Sequence, residues 1–118
     1  MVRFNKRITQ KLLNQLDYVL SKSMFYQNKF SRFSKSPHQL VKAFMDLPFT
    51  TKSQILEDQQ NYSSPFGSNL CASEQQIKRV HKTPGTTNRP VLIGMTDNDI
   101  RLTVKIGSQC FKSSGLKA

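Results

Sequence analysis

Two short stretches have the patterning of β-strands, and they restrict the fold more than anything else in this chain. IKRVH (residues 77–81) alternates apolar and polar side chains, as a half-buried strand does. VLIGM (residues 91–95) is a compact apolar run suited to a buried strand. An isolated two-stranded ribbon is marginal in water. A chain of 118 residues with two strands is therefore expected to be α/β but helix-rich, and an incomplete portion of something larger.

The helical expectations come from periodicity and caps. Ile8, Leu12, Leu16, Val19 and Leu20 recur at helical spacing, Leu13 widens the stripe, and Phe25, Tyr26, Phe30 and Phe33 extend it toward Ser34. Pro37 disfavours the α conformation before it and suits the first turn of a second helix, capped by Ser36 with Gln39. That helix, residues 38–45, is expected to bury Leu40, Val41, Phe44 and Met45. Thr51 with Gln54 forms a capping box for a third helix reaching about residue 60. After the hairpin, Thr96 caps a last helix with Asp97 and Asp99 in its first turn, where the helix dipole favours anions. Its expected buried stripe is Ile100, Val104, Gly107 and Phe111. The chain divides into a helical lead-in (1–60), a turn-rich loop (61–76), strand–loop–strand (77–95) and a helix (96–115), all within one partial domain, 1–118.

Composition narrows the function. Apolar residues make up 36% of the chain, glycine not counted, against ~45–50% with glycine in ordinary globular domains, so the core is thin. No apolar run approaches the ~20 residues of a membrane span. The N-terminus has no uninterrupted apolar core of a secretory signal, and Cys71 and Cys110 read as free thiols, so the expected location is cytoplasmic. Neither cysteine nor His38 or His81 has a companion at metal-ligand spacing, and no metal site is expected. Eighteen Lys and Arg face seven Asp and Glu. In residues 1–35, Arg3, Lys6, Arg7, Lys11, Lys22, Lys29, Arg32 and Lys35 oppose a single acid, Asp17. The cations are spread around the helix, which favours a solvated face; a nucleic-acid or acidic-partner module is the alternative.

Between the strands lies KTPGTTNRP (residues 82–90). A strand-to-strand turn is one reading. The other is a phosphate-binding loop, which needs close backbone approach, hydroxyl donors and a cation; Gly85, Thr83, Thr86, Thr87, Lys82 and Arg89 supply them. It is not a Walker A loop.

The surrounding residues bear on that choice. MFYQNKF (24–30), LPFTTK (47–52), PFG (65–67), Arg79 with His81, the run TPGTTNRP (83–90), and Thr96 with Asp99 occur in order. This array resembles the N-terminal part of the phenylacetate–CoA ligase family, within the adenylate-forming (AMP-dependent synthetase) superfamily, over about residues 10–115. The resemblance implies a carboxylate–CoA (acid–thiol) ligase that makes an acyl-adenylate and pyrophosphate from a carboxylate and Mg·ATP, then passes the acyl group to coenzyme A. It further implies that Thr83, Gly85, Thr86, Thr87, Asn88 and Arg89 meet the phosphates of ATP.

Three positions depart from the family's pattern. Arg89 replaces Lys and keeps the charge, and Asn88 replaces Gly but tolerates left-handed backbone. Pro84 replaces Ser and removes a hydroxyl and an N–H together, so weak ATP binding is expected. The family's adenine, acyl and coenzyme A sites and its catalytic residues are expected to lie outside these 118 residues. The chain is accordingly expected to be inactive alone, as a truncated ligase or a stub completed by a separately encoded remainder.

Overall fold

The computed structural model describes residues 4–33, 36–84 and 89–116. In chain order they form α1 (Lys6–Lys22), α2 (Met24–Phe30), α3 (Pro37–Lys42), a 3-10 turn (Phe44–Asp46) and α4 (Lys52–Asn61). A second 3-10 turn (Glu74–Gln76), β1 (Ile77–Lys82), β2 (Leu92–Thr96) and α5 (Asp97–Ser113) follow. The architecture is thus a helix-rich α/β piece with one antiparallel hairpin.

The expected first helix is two helices, which makes four rather than three α-helices ahead of the hairpin. The break is at Ser23, which is extended (φ −108°, ψ 110°) and fully buried. Its hydroxyl accepts from the Tyr26 N–H at 3.4 Å, capping α2, and donates to the Ser68 carbonyl at 3.3 Å. The aromatic helix ends at Phe30 rather than continuing to Ser34, which lies outside the described residues.

Pro37 opens α3 as expected, but the Ser36 side chain makes no cap bond to it, and α3 ends at Lys42. Phe44 and Met45 pass into the 3-10 turn and are exposed, contrary to the sequence reading. Because α3 stops at Lys42, they do not continue the face that buries Leu40; Phe44 instead meets Phe4 edge to face at 5.4 Å.

The core is formed by Leu16 of α1, Phe30 of α2 and the fully buried Leu40 of α3, with Leu20, Tyr26, Val41 and Leu47 packed against them. Lys29 ties the LPFT stretch to this core: its ammonium donates to the Phe49 carbonyl at 2.8 Å and to Gln54 Oε1 at 2.6 Å. One of the lead-in's cations therefore serves as an internal clamp. The capping box at Thr51 is present, and Thr96 caps α5 in a box with Asp99 where the sequence reading has only a cap and acids favoured by the dipole; α4 and α5 start where the sequence places them.

The stripe expected to be buried on α5 is not. Ile100 and Gly107 are half-buried, whereas Val104 and Phe111 are 66% and 61% exposed. α5 rests on β2, and no residue of this helix is buried among the described residues. The radius of gyration, 16.7 Å, exceeds the ~13 Å of a compact chain of this size, in keeping with so open a second half. No helix among the described residues is long and apolar enough to cross a membrane.

Candidate functional site

The hairpin pairs Lys82 with Leu92, His81 with Ile93, Val80 with Gly94 and Arg79 with Met95, with a bulge between Ile77 and Arg79. Beyond the last pair, Thr83 closes the loop's base in two ways. Its N–H donates to the Val91 carbonyl at 3.0 Å, and its Oγ1 accepts from the Val91 N–H at 3.0 Å. The hydroxyl proton of Thr83 is not used in either bond, so the side chain can still donate to an anion.

Of the sequence-predicted site residues, Thr83 is half-buried at one end of the loop and Arg89 is exposed at the other, with Lys82 and Pro84 exposed beside Thr83. Gly85, Thr86, Thr87 and Asn88 lie outside the described residues. Among the described residues the one ion pair is Asp97–Arg101 at 3.5 Å, both side chains well exposed, so it does not involve Arg89 or Lys82. With Lys78 and Arg79 also exposed on β1, the hairpin carries a run of cations suited to an anionic ligand.

Sequence reading missed the side chain that meets the hairpin's outer edge and the one that holds the turn beside it. Asp58 and Gln59, consecutive near the end of α4, reach two different targets. The Gln59 amide donates from Nε2 to the Leu92 carbonyl at 2.8 Å and to the Phe66 carbonyl at 3.3 Å. Its Oε1 accepts from the Leu92 N–H at 3.1 Å. The Asp58 carboxylate accepts from the Ser68 N–H at 2.7 Å, from the Ser68 hydroxyl, and from Asn69 Nδ2 at 3.3 Å.

The PFG turn fits between them. Gly67 has φ +75°, and a Cβ there would stand 2.2 Å from Asp58 Oδ2, so both conformation and space require glycine. Phe66 is buried and lies over Gly94 of β2, where an added Cβ would come within 3.2 Å of its ring. The Ser68 carbonyl in turn accepts from Ser23 Oγ and from the Phe25 N–H, both at 3.3 Å, tying the turn to α2. Only the PFG turn itself was visible beforehand; a glutamine in a polar helix end carries no signal of its partner 33 residues away.

The acids that open α5 are engaged structurally. Asp99 Oδ2 accepts from the Thr96 N–H at 2.8 Å and from its hydroxyl at 2.7 Å. These bonds to Thr96 hold the Asp99 carboxyl below its ordinary range. Among the described residues no group of three His, Cys, Asp or Glu is placed to hold a metal ion. Cys71 and Cys110 are free thiols, and burial pushes the Cys71 thiol up, away from reactivity.

No family model matches the chain. Curated relatives do. The phenylacetate–CoA ligase of Escherichia coli (strain K12) is 29% identical over 109 residues, 91% of this chain and 24% of that protein. That of Aromatoleum evansii is 31% identical over 96 residues, 79% of this chain and 20% of that protein. Among solved structures, a 2-hydroxyisobutyryl-CoA ligase in complex with 2-HIB-AMP and CoA superposes with a TM-score of 0.72 and 31% identity. That match covers 82% of this chain and 21% of the ligase, so the helices and hairpin are the fold of part of an adenylate-forming CoA ligase. Over nine-tenths of its own length the chain is similar to the phenylacetate–CoA ligases, and it spans about a quarter of theirs.

Proposed function

We propose that residues 83–89 form a polyphosphate-binding loop of an AMP-forming acyl-CoA ligase, and that residues 1–118 are part of that enzyme's ATP-binding domain. The observation that carries this reading is the double clasp between Thr83 and Val91. It fixes the base of a Thr- and Gly-containing loop and leaves Lys82 and Arg89 exposed at its ends. Similarity to CoA ligases supports it. The residues fit such a ligand: one hydroxyl proton at Thr83 and two cations suit an anionic chain of phosphates.

In this reading Thr83, Gly85, Thr86, Thr87, Asn88 and Arg89 contact the β- and γ-phosphates of ATP. Donors aimed there stabilise charge arriving on the departing pyrophosphate when a carboxylate attacks the α-phosphate. Magnesium belongs to the nucleotide rather than to a cluster of side chains in this span. We assign no catalytic residue to the span and propose that it does not complete ligation by itself; the acyl and coenzyme A sites belong to a remainder, in the same chain or another. The cytoplasm, where free thiols such as Cys71 and Cys110 persist, is the proposed location.

Calorimetric titration of pyrophosphate and of Mg·ATP into the protein tests the loop. Weak binding is expected; Arg89→Gln should weaken it about tenfold, the scale of one charge-assisted hydrogen bond. Pro84→Ser, which restores a hydroxyl and an N–H, should tighten it. If neither the parent protein nor the Pro84→Ser variant binds, the loop is a turn and no more.

A further inference from the structure

The outer edge of β2 is met by a side chain rather than by a strand. Gln59 presents a donor and an acceptor to the two main-chain groups of Leu92, as a neighbouring peptide unit would. Leu92 directly follows Val91, the residue clasped to Thr83. A continuous series of bonds thus runs from α4 through Gln59 to Leu92 and on to the loop's base. The third Gln59 contact, to the Phe66 carbonyl, joins the same amide to the PFG turn.

We infer that Gln59 is a positioning residue for the 83–91 loop, fixing where its return arm, and with it Arg89, stands relative to Thr83. The inference rests on the reading of that loop as a polyphosphate site. Its chemistry is selective. A glutamate at position 59 keeps an acceptor for the Leu92 N–H but sets a carboxylate against the Leu92 and Phe66 carbonyls, and asparagine is one methylene too short to reach. Asp58, one residue away, supports the PFG turn and touches no part of the hairpin in the bonds it makes. It therefore serves as the structural control.

The test pairs pyrophosphate titration with amide hydrogen exchange on the full chain, at a temperature where circular dichroism shows every variant folded. Gln59→Glu is expected to weaken pyrophosphate binding at least fivefold. Asp58→Asn should lower the melting temperature yet leave that affinity within twofold. Equal losses in the two variants would make Gln59 a general stabiliser and overturn the inference. Gln59→Ala should speed exchange at the Leu92 amide more than tenfold, and by a smaller factor at the Thr83 amide, whose acceptor is the adjoining Val91. Unchanged exchange at Leu92 overturns the positioning role even if the loop binds. Absence of binding in the parent protein overturns the phosphate reading instead, and the exchange result then decides alone whether Gln59 sets the strand.

Discussion

The lead-in helices and the hairpin–α5 half obey the same local rules and reach opposite ends. Both have well-formed caps: Thr51 with Gln54 opens α4, and Thr96 with Asp99 opens α5. In the first half, apolar faces converge, and Leu16, Phe30 and Leu40 close over one another. In the second, Val80, Ile93, Leu102, Val104, Ile106 and Phe111 are each 47% exposed or more. Caps and periodicity decide that a segment is helical, but burial needs a surface opposite, and α5 has apolar side chains on two sides while β2 is its main packing partner among the described residues. A span of about a quarter of the relatives' length contains one closed core and one open one.

The contrast can be broken most directly by truncating one side chain in each half. Leu40→Ala empties the centre of the closed core and should cost ~2–5 kcal/mol. Val104→Ala on α5 should stay within ~0.5 kcal/mol, as surface changes do. Urea denaturation measures both, and a large loss at Val104 would mean that α5 is covered in solution. A smaller effect is expected at the junction of the halves. Gly67→Ala forces a Cβ against Asp58 and strains a left-handed residue, for ~1–3 kcal/mol, read as a lower melting temperature.

The smallest effect sharpens the open half alone. Asp99 has its pKa lowered in the fold by Thr96, so its contribution to α5 is present above the ordinary carboxylate range. That contribution is lost as pH falls through the lowered value. The backbone shifts of α5's first turn should therefore move toward coil in acid, and Asp99→Asn should remove that pH dependence.

These regions also differ in how far the sequence discloses them. Pro37, the Thr51 capping box, the Thr96 cap and the strand alternation of residues 77–81 act within a few residues, so α3, α4, α5 and the hairpin were legible. Ser23 was not, because its break in the first helix answers to Ser68, 45 residues away. Nor was Gln59, which looks like any solvated helix residue until Leu92 is set beside it. The apolar stripe of α5 was read correctly as a stripe and wrongly as a buried one, since periodicity shows a face and not its partner. Of the candidate site, the residue types were visible; the clasp and the α4 support depend on long-range contacts.

The clasp between Thr83 and Val91 also makes the intervening seven residues a non-covalent ring. A ring closed at its base confines the consequences of altered content or length to its own entropy, where even a doubling costs only ~0.6 kcal/mol. The strands below are paired independently of it, from Arg79 with Met95 to Lys82 with Leu92. A proline at position 84 is thus tolerated by the fold, whatever it does to a ligand, and this part of the chain is free to lose or regain chemistry without unfolding its neighbours.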